Sequence, residues 1–99
     1  MLEKTMDIPD PIMQQWKTTL LEDGFRQQWV HRDLAGYFYA AHEHPVDTAH
    51  VVLQGSMTIV VEGKENEVSS GERFDVAKNV VHQATIGPRG CVFLIGVRV

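Results

Sequence analysis

After Gly24 the apolar residues of this 99-residue chain stop recurring at a helical period and begin to alternate. A period of two is what a strand with one buried face requires. Phe25 to His31 is extended in character, and Gly36 ends it. Tyr37 to His42 is aromatic and strand-like. Pro45 interrupts, His50 to Leu53 runs to a predicted turn at Gln54-Gly55, and Met57 to Glu62 is closed by Gly63-Lys64. Glu65 to Val68 is a short partner ended by Ser69-Ser70-Gly71. Arg73 to Val76, Val81 to Ile86 and Cys91 to Val97 complete the set, with Gly87-Pro88-Arg89-Gly90 as a predicted loop. Short strands at turn-marked intervals, with no second helical pattern, predict an antiparallel sandwich or barrel.

One helix precedes the strands. Asp10 reads as its N-cap and Pro11 as its first helical residue, where the missing N–H costs nothing. Ile12, Met13, Trp16, Leu20 and Leu21 make an apolar stripe at helical spacing, and Gly24 suits the left-handed position past the C-terminus. The predicted helix covers about residues 11–22. Residues 1–24 therefore form a leader and helix, and residues 25–99 the strand-built domain. Neither repeat nor linker interrupts them.

Composition narrows the partners. Lys and Arg number 9 against 13 Asp and Glu, a net charge of −4, so the clustered positive charge that phosphate binding needs is missing and nucleic acid is not an expected partner. No apolar run is long enough to cross a bilayer, so no membrane partner is expected. The opening Met1–Asp7 shows no basic stretch followed by an apolar core, and the single cysteine, Cys91, excludes an intrachain disulfide. Both point to a cytoplasmic protein. A chain this short buries a modest share of its surface, which favours a homodimer.

Histidine is the composition's outlier, with five in the chain and four of them between positions 42 and 82. In an extended segment residues i and i+2 share a face, so His42 and His44 can reach one point. An antiparallel barrel can bring His82, from a distant strand, alongside them. Three neutral imidazoles make a facial set for Zn, Fe, Mn, Ni or Cu, with positions left open for water or substrate. The competing account is two partly exposed polar residues at a strand end.

The surrounding residues carry a family resemblance. Gly36, five residues, His42-Glu43-His44 and the closing Gly55 resemble the first motif of the cupin superfamily, and Gly71, with His82 at the matching distance, resembles the second. The resemblance covers about residues 25–97. It implies a small jelly-roll β-barrel holding a metal inside through the motif histidines.

Two departures stand out. The family's glutamate position is Thr48, and a neutral hydroxyl is a poor ligand for a divalent ion. His50 lies on the same face as Thr48, ~6–7 Å further along, which makes it a candidate fourth ligand or a supporting partner. Asp47 points to the opposite face unless the turn after Pro45 bends the strand. In the second motif the proline, glycine and asparagine become Ala77, Asn79 and Ile86; Asn79 can still adopt the left-handed turn. His31 reads as a surface residue. Phe38 and Ala40 share the face of His42 by alternation, with Phe38 a pocket or core residue. Phe74, Val76, Ala84 and Phe93 are candidate apolar lining. Glu72 and Arg73 read as solvated, Cys91 as an inert buried thiol, and Trp16 as core or interface.

These readings converge on a metal-binding barrel with a His-lined pocket for a small molecule. Its metal ligands would be His42, His44 and His82, with His50 the possible fourth. Cupin relatives include dioxygenases, isomerases and decarboxylases, so a metal-dependent dioxygenase or isomerase is one expectation. His50 and Tyr39 are the nearby candidates for proton transfer. The other expectation is a non-catalytic binding or sensor module, which the missing glutamate favours. A third is a domain with vestigial histidines that only dimerises.

Overall fold

The change of period at Gly24 marks the junction between one helix and six strands in a computed structural model, which describes residues 8–98. The leader Met1–Asp7, and with it the expected lack of a secretory signal, lies outside the described residues, as does Val99. Helix α1 spans Asp10–Glu22, and the strands are β1 (Gln27–Asp33), β2 (Phe38–His42), β3 (Thr48–Val61), β4 (Lys64–Ser69), β5 (Arg73–Val76) and β6 (His82–Val97).

The N-cap of α1 is Pro9, one residue before the expected Asp10. Asp10 instead sits in the first turn with no side-chain cap bond, where its charge still complements the helix dipole. At the other end Gly24 has φ +93°, and the Gly24 and Phe25 N–H groups donate to Leu21 and Leu20 carbonyls at 3.0 and 2.9 Å. That is a Schellman termination, completed by the apolar pair it requires. Leu20 and Phe25 are both fully buried, in a cluster with Ala49, Val51, Val92 and Leu94 from β3 and β6. Burying each is worth roughly 1.5–3 kcal/mol. Trp16 and Met13 pack against the same cluster, so α1 covers the barrel of its own chain. Ile12 and Leu21 face solvent, so the buried stripe is narrower than the sequence spacing suggested.

Strands β3 and β6 are the frame. They pair antiparallel from Thr48↔Val97 to Val61↔His82, with register slips between Val52 and Gln54 and between Gly55 and Met57. The predicted turn at Gln54-Gly55 and the predicted loop at Gly87–Gly90 are therefore bends inside two long strands. Glycine here marks a bulge rather than an end. Gly55 has φ +81°, and a Cβ there would lie 2.0 Å from the Gly90 carbonyl oxygen. On one side of the bend β1 and β5 flank the pair; on the other side β2 and β4 do. The six-stranded sheet thus folds back on itself. Its inner faces meet in a core of Val52, Ile59, Met57, Val76, Ile86 and Phe93, the small antiparallel barrel expected from the alternation. The β3–β4 hairpin turns through Glu62 and Gly63, both at positive φ, the geometry a two-residue hairpin favours.

Candidate metal centre

His42 ends β2 and pairs directly with His82 at the start of β6. His44 is not in a strand as expected. It lies in the loop after β2, and its carbonyl accepts the Asn79 N–H at 2.7 Å. Asn79 has φ +62°, the left-handed conformation anticipated for it in place of glycine. The three rings nonetheless converge, with centroids 4.8 Å apart for His42 and His44, 4.3 Å for His42 and His82, and 5.3 Å for His44 and His82. One nitrogen from each lies within 4.8 Å of the others.

The backbone fixes which nitrogen is free. Nδ1 of His42 lies 2.6 Å from the Ala40 carbonyl oxygen, and Nδ1 of His82 lies 2.9 Å from that of Val80. With the proton donated there, Nε2 of each ring keeps its lone pair. Nε2 of His82 is buried and has no hydrogen-bond partner. A buried nitrogen left bare is costly unless something fills the place of a partner. Burial, together with the neighbouring imidazoles, lowers the pKa of His44; burial and His42 lower that of His82 against the opposing Val80 bond. Both rings are held in the neutral form that ligates. A set of neutral nitrogen donors with one orphaned buried Nε2 fits a divalent transition metal.

His50 stands apart from this group. It is 7% exposed on the inner face of β3, with its ring centroid 6.3 Å from that of His82. Its Nδ1 lies 3.3 Å from the Phe74 carbonyl oxygen, and burial pushes its pKa down to about 4. Thr48 is fully buried, its hydroxyl 3.5 Å from the Val76 carbonyl oxygen. Asp47 does point away: its carboxylate accepts the Lys78 N–H at 2.8 Å and Arg98 Nη1 at 2.7 Å, and these partners hold its pKa down.

Alternation also fails within β2. The register between β2 and β6 slips between Tyr39 and His42, so the inner residue of β2 is Tyr39, which packs on the core, while Phe38 is 53% exposed. The expectation that Phe38 and Ala40 share the face of His42 is therefore corrected by a bulge. The Tyr39 hydroxyl donates to Asp33 Oδ2, tying β2 to the end of β1, and burial plus that carboxylate raise its pKa. Phe74, Val76, Ala84 and Phe93 do line the interior. His31 is exposed, with its ring stacked on Phe93 at 5.2 Å. Glu72 accepts the Ser69 N–H at 2.8 Å, and Arg73 binds Asp23 and Asp75 rather than water alone. Cys91 is buried, with its thiol pushed up to about 12 by burial. A surface concavity of about 1050 Å³ lies at the bend beside Arg32, Gln54, Ser70 and Arg89 and touches no histidine. No helix among the described residues is long and apolar enough to cross a membrane.

No family model matches the sequence, and no curated protein does. Solved structures do match. KdgF from Halomonas sp. superposes with a TM-score of 0.62 at 24% identity, over 73% of this chain and 68% of that one. An RmlC-like cupin from Shewanella frigidimarina NCIMB 400 gives 0.66 at 21% identity, over 72% of this chain and 63% of that one. The DMSP lyase DddQ from Ruegeria pomeroyi DSS-3 gives 0.67 at 22% identity, over 73% of this chain but only 37% of the lyase. The folded-back six-stranded sheet and these superpositions agree with the two sequence motifs, and the chain has the cupin fold.

Proposed function

We propose that this protein binds one divalent transition metal through His42, His44 and His82 and presents it to a small molecule at the histidine end of the barrel. The supporting observation is the bare, buried Nε2 of His82 beside two further imidazoles, with Nδ1 of His42 and of His82 already committed to carbonyls. Three protein ligands leave coordination positions open, and a bound ion there supplies Lewis-acid polarisation of a ligand oxygen. His50, outside the group of three, supports the site by facing it rather than by ligating.

A second reading keeps the metal and drops the chemistry. It is favoured by the two candidate proton carriers: His50 is a weak base with its pKa near 4, and the Tyr39 phenol is tied to Asp33 and raised. Neither titrates near neutral pH, which suits a binding or sensor module better than a dioxygenase or isomerase. The DMSP lyase among the structural neighbours shows that an enzyme can be built on this fold, and carries no more than that at 22% identity.

Metal content of protein purified without a histidine tag tests the proposal. A single divalent ion per chain that is lost in His42→Ala supports it. Substoichiometric metal that ignores the substitution overturns it.

A further inference from the structure

The concavity at the bend, on the far side of the fold from any histidine, owes its shape to two glycines. Gly55 of β3 and Gly90 of β6 both line it. A Cβ on Gly55 would lie 2.0 Å from the Gly90 carbonyl oxygen, and one on Gly90 would lie 2.9 Å from that of Asp33. The floor is therefore bare backbone, where the end of β1 meets the bends of β6 and β3. Longer side chains stand around it: Arg32 from β1, Arg89 from β6, Gln54 and Ser56 from β3, and Glu67 from β4. The enclosed space, about 1050 Å³, is ample for a small molecule.

The charges on its walls are segregated. The sheet order β1-β6-β3-β4 puts both arginines on one side and Glu67 on the other, with the Gln54 amide and Ser56 hydroxyl between them. Two strand spacings, about 10 Å, separate β6 from β4. Among the described residues Arg32, Arg89 and Glu67 make no ion pair, whereas Arg73 and Arg98 are both paired. The other carboxylate at the concavity, Asp33, is engaged by the Tyr39 hydroxyl. Leu34, 84% exposed, and Pro88 add an apolar stretch on the arginine side. A simple anion entering here gains the arginines but meets Glu67, and a simple cation gains Glu67 but meets two arginines. A molecule with a carboxylate at one end and an ammonium at the other satisfies both walls. Guanidinium groups bind the carboxylate through charge-assisted hydrogen bonds, and the Glu67 carboxylate accepts from the ammonium. The stretch between the two ends lies against Leu34 and Pro88.

We infer that the concavity at the bend binds a small zwitterion with well-separated charges, an ω-amino acid or a short peptide, its carboxylate on Arg32 and Arg89 and its ammonium on Glu67. The site lies apart from the histidine centre and needs no metal.

The test is a backbone-amide chemical-shift titration with 6-aminohexanoate, hexanoate and hexylamine, which share a chain and differ in charge. It uses chelator-treated protein, in which no carboxylate can be drawn to a bound ion. 6-Aminohexanoate should bind about fivefold more tightly than either singly charged analogue and shift the Gln54, Gly55 and Gly90 amides. Glu67→Gln, at an exposed position, should remove the advantage over hexanoate while leaving hexanoate itself no weaker. Arg89→Gln should weaken 6-aminohexanoate and hexanoate alike, about fivefold. Triglycine separates the two sources: binding tighter than that of 6-aminohexanoate assigns the site to peptides, and weaker binding assigns it to ω-amino acids. Hexanoate binding as tightly as 6-aminohexanoate, an advantage that survives Glu67→Gln, or shifts confined to the histidine end would overturn the site.

Discussion

His50 illustrates how a single buried ring links burial to pH. Burial holds it neutral in the folded protein with a pKa of about 4, against 6.5 in an open chain. On acidification the unfolded chain takes up the proton first, so stability present above pH 6.5 is lost as pH falls toward 4. The loss is on the order of 3 kcal/mol for this one group. Urea unfolding at about pH 7.5 and about pH 4.5 should show a smaller drop for His50→Gln than for the wild type; an equal drop would place the acid sensitivity elsewhere. Thr48→Glu makes the complementary case. The site is fully buried, so the new carboxylate should destabilise the metal-free protein by about 1–3 kcal/mol and slow metal loss to a chelator, since a carboxylate there adds an anionic ligand. Unchanged metal retention would mean that position 48 does not reach the ion. The histidines themselves were legible in the sequence because spacing and chain order sufficed. The inner-face position of Trp29 was not, because an extended segment names its inner face only once its partner's register is known.

At the scale of elements the strands were legible and their bends were not. Alternation locates residues on strands, but a bulge keeps the chain extended while shifting the alternation by one. That is why Gln54-Gly55 and Gly87–Gly90 resembled ends, and why Phe38 was assigned to the wrong face. The glycines at these points differ in what they permit. A Cβ at Gly55 would lie 2.0 Å from the Gly90 carbonyl oxygen and the residue also has φ +81°, whereas Gly71, at φ +87°, has nothing within 4 Å of a Cβ. Gly71→Ala should therefore lose about 1–2 kcal/mol from its backbone conformation alone. Gly55→Ala should lose about 2–5 kcal/mol or fail to fold, because strain and overpacking add. Thermal unfolding of the two variants compares them directly, and similar losses would contradict the close approach of β3 to β6 at the bend.

The whole molecule assembles the site by folding one sheet in two. The bend in β3 and β6 lays the β1–β5 side over the β2–β4 side, which brings His50 over His82. Arg98 braces the outside of this arrangement. Its guanidinium lies 4.2 Å from the centre of the Phe25 ring, bonds the Asp23 carbonyl and pairs with Asp47, joining the helix end to the turn before β3. Such a barrel with one helix was readable from the change of period at Gly24. The grouping of three histidines without the fourth was not, because it depends on a loop held by Asn79 and on a ring separation that only the fold sets. The most direct test is competitive zinc titration of the wild type beside alanine variants of all five histidines. Substitution of His42, His44 or His82 should each weaken zinc binding by more than the roughly 10–100-fold typical of losing an outer partner, while His31→Ala stays within about threefold and His50→Ala within about tenfold. A loss at His50 or His31 as large as at His82, or no loss at His42, would contradict a centre built from His42, His44 and His82.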